Sequence, residues 1–156
     1  MTPAGGGSGT KAIAAAGLLA GVMDITAAFV TAKLLNGVSP EQVLHYVASG
    51  AIGRDASIQG GWKTAALGLF FHFVVAFGAA TTFYLASRRI VFLADKPFVS
   101  GPLYGIAVYV FMYWIVVPLS AIQGRTVTLR GTVIAIITHI VCVGTPIALM
   151  VRKFGN

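Results

Sequence analysis

The chain has 156 residues, 57% of them hydrophobic and only 10% charged, and its mean hydropathy is +0.87. Soluble domains carry about 25% charged residues, so this composition excludes a disordered chain and an ordinary soluble globule, and it marks an all-α polytopic membrane protein. Eleven Lys and Arg against four Asp and Glu give a formal charge of +7; in a membrane chain such an excess belongs at loop ends beside anionic lipid, which excludes a nucleic-acid partner in favour of the lipid bilayer.

Residues 1–11 read as a Gly-rich flexible tail with little to bury. The first span follows, from Ala12 to Leu35. It has no short apolar core ending in a small-residue cleavage site, so it reads as a signal anchor. Residues 36–63 form the longest connection. Within it Ser39, Pro40 and Gln42 spell a helix start, with Ser as cap, Pro at the first position and Gln closing a capping box. Val43, Leu44, Val47, Ala48, Ala51 and Ile52 then repeat at helical spacing, which predicts an amphipathic helix over 40–52. That is too short to span, so it should lie along the interface or cover the bundle mouth. His45 on it is expected to face water or headgroups.

The second span runs from Thr64 to Ser87 and stops at Arg88 and Arg89; the third runs from Gly101 to Ile122. The fourth, Thr132 to Val151, ends at a basic tail over 152–156. Together these make a single membrane domain over 12–151, a four-transmembrane-helix bundle. Trp62, Tyr84 and Tyr104 at span ends fit an aromatic belt, while the deeper Trp114 is expected to pack inside. Four crossings put Lys11, Arg88, Arg89, Lys96, Arg152 and Lys153 on one side, and Lys33, Arg54, Lys63, Arg125 and Arg130 on the other. The positive-inside rule then favours both termini in the cytoplasm.

Three ionisable groups fall inside the spans: Asp24, His72 and His139. An ionisable side chain at the bilayer centre costs about 2.5–3.5 kcal/mol on insertion scales, so each needs a reason. At a rise of ~1.5 Å per residue, Asp24 lies roughly 18 Å from the start of its span. His72 and His139 lie roughly 12 Å from the starts of theirs, which enter from the opposite side. All three therefore share one level near the midplane. Small residues share their helical faces: Gly17, Gly21, Ala28 and Thr31 with Asp24, and Ala65, Gly68, Ala76 and Ala79 with His72. The fourth span adds Thr132, Ala135, Cys142 and Pro146 around His139. Such rows mark helix–helix contacts, so the polar residues look inward. On the third span, Gly101 and Gly105 begin a similar row, with Tyr109, Met112 and Tyr113 as contributors at the same depth. Pro118 and Pro146 each remove one helix hydrogen bond and can kink their spans.

Four readings of the Asp/His trio stay open. It can handle protons or small ions, with Asp24 as carrier and the histidines as relay. It can bind a divalent metal through Asp24, His72 and His139. His72 and His139 can clamp a b-type haem, with Phe70, Phe71, Phe73 and Phe77 beside His72. Or it can simply bridge helices by hydrogen bonding, with no cofactor, in a structural or accessory subunit. Cys142, the lone cysteine, reads as a small packing residue. No phosphate loop, nucleophile elbow or water-facing triad supports an enzyme. Four spans are few for a transporter, so a homo-oligomer or a larger membrane complex is an expected assembly.

Landmarks in all four spans carry a resemblance: Ala-Gly-Leu-Leu-Ala-Gly over 16–21, His72 followed by Phe-Val-Val-Ala-Phe over 73–77 and Tyr84, Gly101 with Gly105 leading to Val-Pro-Leu-Ser over 117–120, and Thr138-His139. In their order they resemble the YagU-like family of small bacterial inner-membrane proteins. The resemblance implies a four-span architecture in the inner membrane and no settled biochemical activity. The chain departs from that pattern in a shorter first connection and at Asp24.

Overall fold

Backbone groups in lipid have no water to bond, so an apolar chain of this kind must satisfy them within helices. The computed structural model describes residues 6–121 and 128–155, so Arg125 and Ile122, the last residue expected of the third span, lie outside the described residues. Among the described residues seven helices follow in chain order: α1 (Gly6–Asn36), α2 (Pro40–Ile52), α3 (Arg54–Gln59), α4 (Gly61–Ser87), α5 (Val91–Asp95), α6 (Pro97–Leu119) and α7 (Leu129–Phe154). No strand occurs among the described residues. Four of these helices, α1, α4, α6 and α7, are long and apolar enough to cross a membrane. The protein is an all-α, four-span bundle.

Helix α1 begins at Gly6, inside the stretch expected to be a flexible tail. Packing overrides the low helix propensity of glycine there: Ala12 is fully buried, and Gly9 leaves just enough room for the Tyr84 ring. Helix α2 matches its expected bounds. Ser39 Oγ accepts from the Gln42 N–H at 3.3 Å, and Gln42 Oε1 accepts from the Ser39 N–H at 2.8 Å, which completes the capping box. Gly53 ends the helix with φ +80°, a conformation costly for any residue with a Cβ.

Of the two positions open to it, α2 takes the one over the bundle mouth. Leu44 and Ala48 are buried as it packs across α4, and the Ala121 N–H donates to Gly50 O at 3.0 Å, tying α2 to the chain just after α6. This corrects the expectation for His45. Its side chain is only 12% exposed, because the short helix α3 folds back over it. Its Nε2 donates to Gly61 O at 3.1 Å, and Ser57 Oγ donates to His45 O at 2.6 Å.

The spans pack in the order α4, α1, α7, α6, with α1 against both α4 and α7, and α6 against α7. The core sits at the end that holds both chain termini, called here the terminal end. Ala16, Ala20, Ala80, Phe83, Val143, Ile147, Ala148 and Val151 are buried together there. Phe77 and Phe73 lie over Gly17 and Gly21 of α1, so those glycines are notches for aromatic rings. The α6–α7 crossing is closer still. A Cβ on Gly144 would collide with the backbone of Gly101 and Gly105, so only glycine permits this approach.

Each of the last two spans contains one π-helical turn, Met112–Val116 in α6 and His139–Gly144 in α7. The Val117 N–H reaches Met112 O, and the Thr145 N–H reaches Ile140 O. Pro118 and Pro146 are the physical cause. Each lacks an N–H for the carbonyl four residues back, at Trp114 and Cys142, and its ring crowds that carbonyl, so the preceding turn widens.

Two aromatic expectations change. Trp114 is 70% exposed and faces outward. Tyr104 packs between helices: it lies edge-on to Phe83 with ring centroids 4.9 Å apart, and its hydroxyl donates to Ala79 O at 2.7 Å, joining α6 to α4. Trp62, at the start of α4, is 75% exposed.

Candidate functional site

Away from the terminal end, α4 and α6 part and leave a cavity of about 830 Å³, which α1 and α7 back and α2 covers. Asp24 enters from α1, His72 from α4, Met112 and Tyr113 from the π turn of α6, and Thr138 and His139 from α7. Five of the six residues read from the sequence as a midplane cluster or its contributors therefore share this one space. The sixth, Tyr109, is 6% exposed and lies behind His139 instead of on the cavity wall. The Tyr109, Tyr113 and His139 rings stack into one group, with Tyr109 and Tyr113 4.6 Å apart and His139 at 5.7 Å and 6.3 Å from them.

The histidines are held by backbone. His72 Nε2 lies 2.9 Å from Gly21 O, one helical turn before Asp24, and His139 Nδ1 lies 2.8 Å from Ala135 O. A carbonyl oxygen only accepts, so each of these nitrogens carries the hydrogen. In the neutral ring the other nitrogen, Nδ1 of His72 and Nε2 of His139, is left as an acceptor, and neither has a hydrogen-bond partner among the described residues. Asp24 makes no hydrogen bond or ion pair to any described residue. The single ion pair within 4.0 Å among the described residues is the Glu41–His45 contact of α2, at 3.8 Å. Asp24 is thus not paired to His72.

This geometry lends neither cofactor reading support. Among the described residues no three His, Cys, Asp or Glu side chains are placed to hold a metal ion. Asp24, His72 and His139 border one cavity without converging on one point. His139 keeps Nδ1 on a carbonyl and leaves Nε2 outward, the usual arrangement of a ligating imidazole. His72 has the reverse arrangement, with Nε2 tied to α1, so the two do not form a matched axial pair for haem.

The π turn also corrects the face assigned to the fourth span. A regular helix from Ala135 and His139 puts Cys142 next on the inward row. One extra residue in the turn advances that face, so Val143 lines the cavity and Gly144 meets α6, while Cys142 is not on the cavity wall. Polar groups not singled out beforehand complete the wall near α2: Asn36, Gln42, Tyr46 and Ser120. Their only signal was proximity to the apolar stripe of α2, which becomes meaningful once that helix is known to fold over the mouth.

The cavity is chemically one-sided. Among the described residues no Lys or Arg lines it, and Asp24 is the only acid on its wall. The rest is mainly aliphatic, including Val43, Val47, Val75, Val116 and Ile134. No family model, curated protein or solved structure matches the chain.

Proposed function

We propose that this multi-pass protein, placed in a bacterial inner membrane with both termini cytoplasmic, binds and passes on a proton or small cation at Asp24, with His72 and His139 as its relay partners. The observation that carries the reading is the carboxyl group itself. It borders a cavity in the apolar zone, and among the described residues no cation pairs with it and no Lys or Arg lines the same wall. A carboxylate in such a place is costly unless a proton or another cation joins it, and that need is what an ion-handling site exploits. The imidazole nitrogens left as acceptors supply stations for a proton on the same wall.

The test is transport in proteoliposomes carrying a pH-sensitive dye. Asp24→Asn keeps the shape and removes the titrating group, so the dye response to an imposed gradient should vanish while helicity and gel-filtration behaviour stay unchanged. A variant with undiminished flux overturns the reading. The structural alternative makes the opposite prediction: apolar residues at positions 24, 72 and 139 leave every measurable property intact or raise stability.

A further inference from the structure

We infer that the cavity is a binding site for an organic ammonium ion, a protonated amine carrying an apolar body, with Asp24 as its counter-ion. This rests on the cation reading of Asp24 and names the kind of cation. Three features of the wall select it.

The first is charge. With one carboxylate and, among the described residues, no Lys or Arg facing the space, an anion meets repulsion and a monovalent cation meets its match. The second is size and lining. About 830 Å³ of mainly aliphatic wall is far more than a dehydrated inorganic ion can fill, and it lies within the roughly 300–1,000 Å³ typical of sites for drug-sized ligands. Such walls gain from contact with hydrocarbon and offer an ion no oxygen shell. The third is hydrogen bonding. Nδ1 of His72 and Nε2 of His139 are acceptors held in place by the carbonyls of Gly21 and Ala135. A lipid tail or a neutral hydrocarbon leaves all these acceptors without donors, which is unfavourable for each one stranded. A primary ammonium brings three N–H donors and one positive charge. A quaternary ammonium brings the charge alone.

The route in is built into the same geometry. Helices α4 and α6 are joined by the Tyr104–Ala79 bond near the terminal end, and beyond it Val75 of α4 and Val116 of α6 both line the cavity, so the proposed way in lies between these two helices, beside α2. An amphiphilic amine lying in the leaflet can enter body first.

The experiment is equilibrium dialysis of the full chain in nanodiscs against four probes: 2-phenylethylamine, 2-phenylethanol, (2-phenylethyl)trimethylammonium and sodium ion. The amine should bind saturably, one per chain, at least tenfold more tightly than the alcohol or the quaternary ion, and Asp24→Asn should weaken it at least tenfold. Should that variant misfold, the selectivity of the unaltered protein among the four probes still decides. Alcohol binding equal to amine binding, or amine binding indifferent to Asp24, overturns the inference and assigns the space to lipid. Asp24-dependent proton or sodium movement without amine binding overturns the ligand class and leaves the cation reading standing. Amine binding without any flux upholds the site and removes the transport.

Discussion

The two ends of the bundle are built from the same apolar vocabulary and pack in opposite ways. At the terminal end Ala16, Ala20, Ala80 and Ala148 bring the helices close, and Phe83, Ile147 and Val151 fill what remains. At the α2 end the buried cluster shrinks to Ile25, Leu44 and Ala65 beside Phe29, and the facing residues are mostly β-branched or polar. In water such a gap would tend to collapse. Between helices in lipid there is little hydrophobic force to close it, so association follows shape and small-residue contact. A mismatch of shape therefore persists as a cavity, and what fills it is decided by the few polar groups on its wall.

The sharpest way to break this comparison is to remove bulk at each end. Phe83→Ala deletes the largest fully buried side chain and should cost about 3–5 kcal/mol, the range for buried Phe→Ala. Val75→Ala on the cavity wall, where the side chain is already partly exposed, should stay within ~0.5 kcal/mol, as for surface changes. Reversible SDS unfolding in mixed micelles measures both. Equal losses would mean that the cavity wall is as tightly packed as the core, and the contrast between the ends would fail.

Adding bulk sharpens the same contrast with a smaller effect. Gly144→Val drives a side chain into the backbone of Gly101 and Gly105, which cannot move aside as a side chain can. The expected cost is about 1–3 kcal/mol, as for overpacked cores. Ala135→Val adds methyl groups facing the cavity and should fall within ~0.5 kcal/mol of the unaltered protein. The same unfolding assay reads the pair. A tolerated valine at 144 would show that α6 and α7 are not held together by close backbone approach.

How much of this was legible in the sequence depends on what set each feature. Span number and the bounds of α2 follow from local signals, namely apolar length and the Ser39–Pro40–Gln42 start, and both were readable. The inward placement of Asp24, His72 and His139 followed from small residues at spacings of three and four. The same logic failed at Cys142, because it assumes a uniform helical period and Pro146 widens the turn before it. His45 was misplaced because what buries it is α3, six residues without a periodic signal. The cavity itself was invisible: it arises from the divergence of α4 and α6, which depends on how four faces fit together and not on the pattern of any one of them.

The smallest effect belongs to the boundary between the two ends. Tyr104 donates to Ala79 O, and Ala79 also lines the cavity, so this bond lies where packed core gives way to open space. The Ala79 carbonyl, inside α4, keeps its helical N–H partner when the phenol is lost, so Tyr104→Phe strands no acceptor and removes only the hydroxyl contribution. Interhelical hydrogen bonds in membranes average about 0.6 kcal/mol, with a maximum near ~1.7. The variant should therefore lose about 0.6 kcal/mol in the unfolding assay, and the Phe83 ring contact should survive. Flux through Asp24 should be unchanged, because α1 and α7 hold His72 and His139 independently of this bond. A larger loss, or an altered flux, would show that the Tyr104 hydroxyl does more than staple two helices. It would then be the hinge that sets how far α4 and α6 separate, and the two ends of the bundle would be one coupled device instead of two independently packed regions.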